Sequence, residues 1–240
     1  MGSTLWKDTI REIKGSFGRF VSIMMIVAIG VAFFAGVKAS IPDMKYTADQ
    51  YYDDYHLMDI RVLSTFGLTD GDVEAIREID GIEGVFPTYT MDVLAYEDTK
   101  QLVLKVHALP LDKSEDNPDY INRVKLVEGR LPEKSGECVI EMGEMQDTGF
   151  QVGDVITLES GTSQPLSDTL KQSEYTIVGK VQTPYYLSYE KGSSSIGSGE
   201  VNFFIMIPQE DITMEVYTEI HITVAGARAY NSYEDSYFEV

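Results

Sequence analysis

The sequence predicts an α+β fold in which one N-terminal transmembrane helix precedes an extracytoplasmic domain made of a β-α-β-β lobe and a β-rich lobe. Three observations carry this expectation. Residues Phe20 to Val37 read FVSIMMIVAIGVAFFAGV without a charge. The chain after them alternates apolar and polar residues at strand period, with one helical interruption. Near residue 120 the texture changes to short strands at close intervals.

The N-terminal elements come first. In LWKDTIREIKGSFGRF, residues Leu5, Trp6, Ile10, Ile13 and Phe17 fall near one helical face, away from Lys7, Arg11 and Lys14. This predicts an amphipathic helix over residues 1–16 lying on the inner membrane surface, with Trp6 as an interfacial anchor. The uncharged run, extended to residues 17–41, covers about 27 Å of hydrocarbon in its central part and reads as a span bounded by Arg19, Phe20, Val37 and Lys38. A cleaved signal peptide is the competing reading, but its apolar region is only about 7–15 residues, and a lysine inside Val37-Lys38-Ala39 fits cleavage poorly. Ala28, Ala32 and Gly36 recur at every fourth position, a small-residue stripe on which a second helix could pack.

Charge sets the orientation and excludes one class of partner. The formal net charge is −20, yet Lys7, Arg11, Lys14, Arg19 and Lys38 outnumber Asp8 and Glu12 before residue 39. The excess of Lys and Arg before the span predicts a cytoplasmic N-terminus, a cell-membrane location and an exported main domain. That domain is strongly acidic and has no cluster of Lys and Arg, so nucleic acid is not an expected partner.

Beyond the span, a tyrosine-rich stalk over residues 42–57 leads into the domain, expected at 58–230. MDIRVLST alternates as a strand, and GLTDGDVEAIREIDG follows with Thr69 or Asp70 as helix cap and Val73, Ile76 and Ile79 at helical spacing. IEGVFPTYTMDVLAYE and QLVLKVHALPL read as two more extended segments, completing a helix-and-sheet lobe over 58–121. RVKLVEGR, ECVIEM, DVITLES and YTIVGKV are the strands of a β-rich lobe over 122–200. VNFFIMIP and EIHITVAG are return strands within 201–230, and residues 231–240 read as the start of a helix.

Catalytic and metal-binding patterns are sparse. His56, His107 and His221 are far apart in sequence and share no ligand spacing, so a zinc site would need tertiary convergence. His107 and His221 fall in strands and read as structural residues, while His56 reads as part of a solvated linker. Asp70 and Asp72 lack the remaining ligands of a calcium loop and are better explained by helix capping. The loop GSSSIGSG has neither a nucleophile elbow nor a phosphate cradle. The lone Cys138, in ECVIEM, reads as a small apolar strand residue. No catalytic, cofactor or metal site is expected, and the chain does not read as an enzyme.

The basic amphipathic start, the span and GLTDGDVEAIREIDGIEGVFP resemble the FtsX-like ABC transporter permeases. EGRLPEKSGECVIEM, GFQVGDVITL and YTIVGKV are similar to the G-R-x-P, E-x-V-I, V-G-D-x-I-x-L and Y-x-I-V-G pattern of the MacB-like periplasmic core domain. Gly129, Arg130, Pro132, Glu137, Val152, Gly153, Asp154 and Gly179 occupy its positions. The resemblance implies a permease dimer in the membrane lipid and a separate cytoplasmic ATP-binding subunit whose cycle moves the extracytoplasmic domain. It also implies work on that side of the membrane, such as expelling peptides or lipids, extracting lipoproteins or acting on an extracytoplasmic protein. Such permeases carry further spans after the domain, so this chain is expected to be the N-terminal part of a longer one. The alternative is a single-span binding or sensor domain for an extracytoplasmic protein or peptide, and a membrane-anchored hydrolase is a more distant third.

Overall fold

The structure is a computed structural model that describes residues 2–97, 99–114, 116–143, 148–186 and 191–240; the side chains of residues 2–5 and 8, and with them the Leu5 member of the apolar stripe, lie outside the description. The chain divides into two compact units, residues 1–49 and 50–240.

The first unit is helical. Helix α1 (Gly2–Gly15) is amphipathic, as the spacing of Trp6, Ile10 and Ile13 requires. Helix α2 (Phe17–Asp54) begins after Ser16, carries the whole apolar run and contains Pro42. None of its residues is buried by protein, although its central window has a mean hydropathy of 2.6. An 18-residue window so apolar, with none of its residues buried by protein, finds its low-energy surroundings in lipid. The expected boundary between span and stalk is not a break in structure, since α2 carries on through Pro42 into the stretch read as stalk.

In the second unit, two sheets share the strands. The smaller has the order β1-β10-β2, formed by β1 (Ile60–Leu68), β10 (Tyr217–Val224) and β2 (Ile82–Thr88), and both pairings are antiparallel. Helix α3 (Asp70–Arg77) places Val73 and Ile76 with Leu68, Val85, Ile220 and Ile222 in one apolar cluster. Its start is fixed by Thr69, whose N–H and hydroxyl both donate to the Asp72 carboxylate, at 2.7 and 2.8 Å. Asp70 and Asp72 thus belong to a helix start, as their spacing suggested.

The larger sheet has the order β5-β8-β6-β9-β4-β3-β7, and β7 pairs again with β8, closing six of the strands into a ring. Its members are β3 (Thr90–Glu97), β4 (Lys100–Leu109), β5 (Lys125–Gly129), β6 (Glu137–Glu141), β7 (Val155–Glu159), β8 (Glu174–Gln182) and β9 (Phe203–Pro208). Two pairings are parallel, β4 with β9 and β6 with β8. Alternate residues point inward and fill the ring: Val93 and Ala95, Leu102, Leu104 and Val106, Cys138 and Ile140, Ile156 and Leu158, Tyr175 and Ile177, Phe203, Ile205 and Ile207. This is the packing of a small barrel, closed so that most strand edges are paired.

The α+β class stands, with one long apolar helix before a strand-rich domain. The grouping of strands differs from the expected lobes. Segment 82–97 is not one extended element: β2 pairs with β10, and β3, after Tyr89, pairs with β4 in the barrel. Strand β4 also leaves the expected β-α-β-β unit, because its inward Leu102, Leu104 and Val106 are needed to line the ring. The two return strands part company, β9 entering the barrel and β10 separating β1 from β2. Residues 235–239 form a 3-10 turn; Tyr237 N–H donates to the Glu234 carbonyl, and the Tyr237 hydroxyl donates to Asp59.

Candidate functional site

The motif residues meet around β8. Gly129 and Gly179 face each other across the β5–β8 ladder. A Cβ on Gly129, whose φ is +74°, would lie 2.3 Å from the Val178 carbonyl oxygen, and one on Gly179 would lie 2.3 Å from the Arg130 carbonyl oxygen. Only glycine permits this approach. Arg130 follows and grips Glu137 at the start of β6 with two hydrogen bonds of 2.7 Å, while Glu133 N–H donates to the same carboxylate at 3.0 Å. The hydrogen bonds from Arg130 and the Glu133 backbone hold the Glu137 carboxyl down at about 2. Pro132 is buried in the connection between these partners. Gly153 and Asp154 form the turn into β7: Gly153 N–H donates to Ile177 O at 2.8 Å, and Gln151 N–H donates to the Asp154 carboxylate at 2.8 Å. Val152 beside them is 37% exposed. The contacts of Gly129, Arg130, Glu137, Gly153, Asp154 and Gly179 gather at the junction of β5, β6, β7 and β8.

A second constellation, which sequence reasoning missed, lies where the small sheet meets the barrel. Arg61 on β1 makes a two-pronged pair with Glu219 on β10, at 2.9 and 2.5 Å. Glu219, only 4% exposed at its side chain, also accepts from His221 at 2.9 Å. Burial pushes the Glu219 carboxyl up, but the His221 and Arg61 hydrogen bonds outweigh it and hold it at about 2. The other His221 ring nitrogen lies 2.9 Å from Asn122 Nδ2. From the barrel, His107 bonds Thr90 Oγ1 at 3.1 Å and the Tyr186 hydroxyl at 2.8 Å. Tyr185 bridges the groups, its ring 5.4 Å from that of His107, 5.8 Å from that of His221 and 5.3 Å from the Arg61 guanidinium carbon. Between them is a cavity of about 30 Å³ lined by Phe86, Asn122, Tyr185, Met206 and both histidines, room for water and little else. Burial drives the His107 pKa down to about 3, so that ring is neutral.

His56 is a correction. It is 2% exposed and not in a solvated linker. With φ +54° it turns the chain after α2, and its carbonyl accepts from Asn122 N–H at 2.8 Å while its Nδ1 lies 3.1 Å from Tyr120 O. The three histidines thus gather near Asn122 and Tyr120, yet no three His, Cys, Asp or Glu side chains converge as metal ligands among the described residues. Cys138 points into the barrel core at 0% exposure, and burial pushes its thiol up to about 12. Neither constellation offers a nucleophile beside a base in an open cleft. In the N-terminal unit, Trp6 is 71% exposed, and Ala28, Ala32 and Gly36 lie on an open face where a Cβ on Gly36 would meet nothing within 4 Å.

The fold defines a class: a strand-rich domain that follows, in sequence, a helix long and apolar enough to cross a membrane. The model of the MacB-like periplasmic core domain matches residues 20–236, and the chain belongs to that family. The family comprises membrane-anchored extracytoplasmic domains of ABC-type transporter permeases, which implies a cytoplasmic ATP-binding partner. Among solved structures, the extracellular domain of the noncanonic ABC-type transporter YknZ from Gram-positive bacteria shares 10% identity at a TM-score of 0.41, covering 68% of this chain and 76% of that one. The periplasmic region of MacB from Actinobacillus actinomycetemcomitans shares 11% identity at a TM-score of 0.38, covering 74% and 71%. No curated protein matches the chain.

Proposed function

We propose that this chain is the N-terminal part of a permease subunit that transmits ATP hydrolysis by a cytoplasmic partner to its extracytoplasmic domain, and that it has no catalysis of its own. The observation that carries this reading is the match of the MacB-like periplasmic core domain to residues 20–236, and in sequence the apolar segment of α2 leads directly into that domain. The residues that follow α2 are fastened within the domain: Arg123 N–H donates to Tyr55 O at 2.8 Å, Asn122 N–H to His56 O at 2.8 Å, and Met58 N–H to Asn122 Oδ1 at 3.0 Å. On this reading the N-terminus is cytoplasmic, α1 lies on the inner leaflet with Trp6 as anchor, and Arg19, Phe20, Val37 and Lys38 bound the span. Ala28, Ala32 and Gly36 serve close helix packing in a permease dimer, and Gly129, Arg130, Pro132, Glu137, Gly153, Asp154 and Gly179 keep the moving domain rigid. The cargo is a peptide, lipid or extracytoplasmic protein.

The test uses an engineered thiol at Ser195, which is exposed on the domain, with the permease co-expressed with its ATP-binding partner. A membrane-impermeant maleimide labels Ser195→Cys in intact cells if the domain is outside. In inside-out membranes opened to the reagent, ATP changes the labelling rate, and a four-residue Gly-Ser break inserted after Ala48 removes that response without removing the protein from the membrane. An ATP response unaltered by the break refutes transmission through α2. No ATP response in the intact helix favours the single-span sensor instead.

A further inference from the structure

Strand β1 contains a protrusion that the framework does not use. In its ladder with β10, Leu63 pairs with Glu219 and Leu68 with Tyr217, so Ser64 to Gly67 all stand opposite the single residue Thr218. The excess chain loops outward and carries Phe66, which is 97% exposed. Leu63, 59% exposed, and Val216, 38% exposed, flank it. The loop has a built shape. Phe66 N–H donates to Ser64 Oγ at 3.2 Å, and Gly67, at φ +84°, sits so close to Val216 that a Cβ would meet its Cγ2 at 2.2 Å. A bare phenylalanine held on a packed turn loses little freedom on binding, which is what makes a good anchor.

The surroundings select the partner. Asp70 and Asp72 open the helix directly after β1, and Glu215 precedes the Val216 that packs on the loop; all three are exposed. Tyr217, whose hydroxyl donates to Asp70 at 2.9 Å, places that carboxylate beside the base of the loop. The cation on this strand, Arg61, is committed to Glu219. An anionic bilayer is repelled by such a rim, and a second copy of the loop would bring acid against acid. The convex apolar tip fits a concave site.

We propose that Phe66, with Leu63 and Val216, is the anchor of a protein-docking surface whose partner is an extracytoplasmic protein presenting an apolar pocket rimmed by Lys or Arg. This holds whether or not an ATP-binding subunit drives the chain. The experiment places a photo-crosslinking amino acid at exposed Thr65 in the full chain in living cells, with the same probe at Ser195 as control. The expected result is one discrete protein adduct at Thr65 and not at Ser195, identified by mass. The adduct disappears with Phe66→Ser and with Asp70→Lys/Glu215→Lys, and weakens with added salt. The purified adduct partner then binds the wild-type chain about thirtyfold or more tightly than Phe66→Ser. Four outcomes overturn the proposal: no adduct, an adduct indifferent to Phe66, a homodimer of the chain, or a lipid adduct matched by binding to phosphatidylglycerol vesicles. Because Phe66 is almost fully exposed, Phe66→Ser leaves the domain's near-UV circular dichroism unchanged, which separates lost docking from lost folding.

Discussion

Acidification should weaken the domain chiefly through His107, and the effect can be worked out in advance. Its ring is buried between Thr90, Tyr186, Tyr185 and Phe204, and its folded pKa is pushed from 6.5 to about 3 by burial. The folded state therefore holds the ring neutral while the unfolded chain takes up a proton below about 6.5, so stability is present above that pH and is lost as pH falls toward 3. Integrating between pH 7 and pH 5 gives a loss of about 2 kcal/mol from this one group. Glu219 adds nothing in that window, because its stabilisation is present above the unfolded value of 4.5 and is lost only as pH falls from there toward about 2. His56, also lowered by burial, adds in the same direction as His107. Urea unfolding followed by tyrosine near-UV circular dichroism at pH 7 and pH 5 measures the total. His107→Gln, which keeps a polar group toward Thr90 and Tyr186, should shrink the pH-dependent loss by about 2 kcal/mol. Equal losses in the two proteins would refute the argument. If the variant does not fold, the His107 ring proton shift in the wild type decides: it should stay flat from pH 7 down to pH 5.

Other outcomes follow from single contacts. Gly129→Ala should destabilise the domain by about 1–3 kcal/mol in urea unfolding, since it forces a Cβ against Val178 O at a left-handed backbone position. Arg130→Met should raise the Glu137 pKa from about 2 toward its ordinary value, read by carboxyl carbon NMR titration, because the first cause of its depression is gone. Cys138 should resist a thiol reagent in the native protein and react at full stoichiometry in urea, being buried with its thiol pushed up to about 12. Leu104→Ala, at 0% exposure in the barrel core, should cost about 2–5 kcal/mol.

Local pattern carried the elements well and the pairings poorly. The alternation in DVITLES is enough to see β7, which presents Ile156 and Leu158 to one core, while ECVIEM and YTIVGKV read as short apolar runs because β6 and β8 are buried on both faces. Nothing in those segments tells that β6 lies parallel to β8, or β4 to β9, since a parallel neighbour is chosen by the barrel as a whole. The framework around β8 was legible as motif because glycine approaches and a two-pronged ion pair demand particular residues at particular spacings. The network of Arg61, Glu219, His221, Asn122, His107 and Tyr185 was not, since its members come from distant parts of the chain and none is unusual where it stands. EIHITVAG did hold a signal: a glutamate and a histidine two apart share one face of a buried strand, and buried charges need partners. His56 was misplaced because YYDDYH looks solvated, whereas its last residue closes a helix against Tyr120 and Asn122.

The central place of β10 in the small sheet has a consequence for biosynthesis. Among the described residues, strands β1 and β2 pair with no strand except β10, which begins at Tyr217. As the ribosome delivers the chain, the barrel strands through β9 emerge first, while β1 and β2 wait with Leu68, Val85 and their polar edges unmet. Pairing across such sequence distance is slow to form and exposed until it does. The first strands of the domain are thus locked by its tenth, so a nascent domain that stalls before Val224 presents open β-edges to chaperones and proteases.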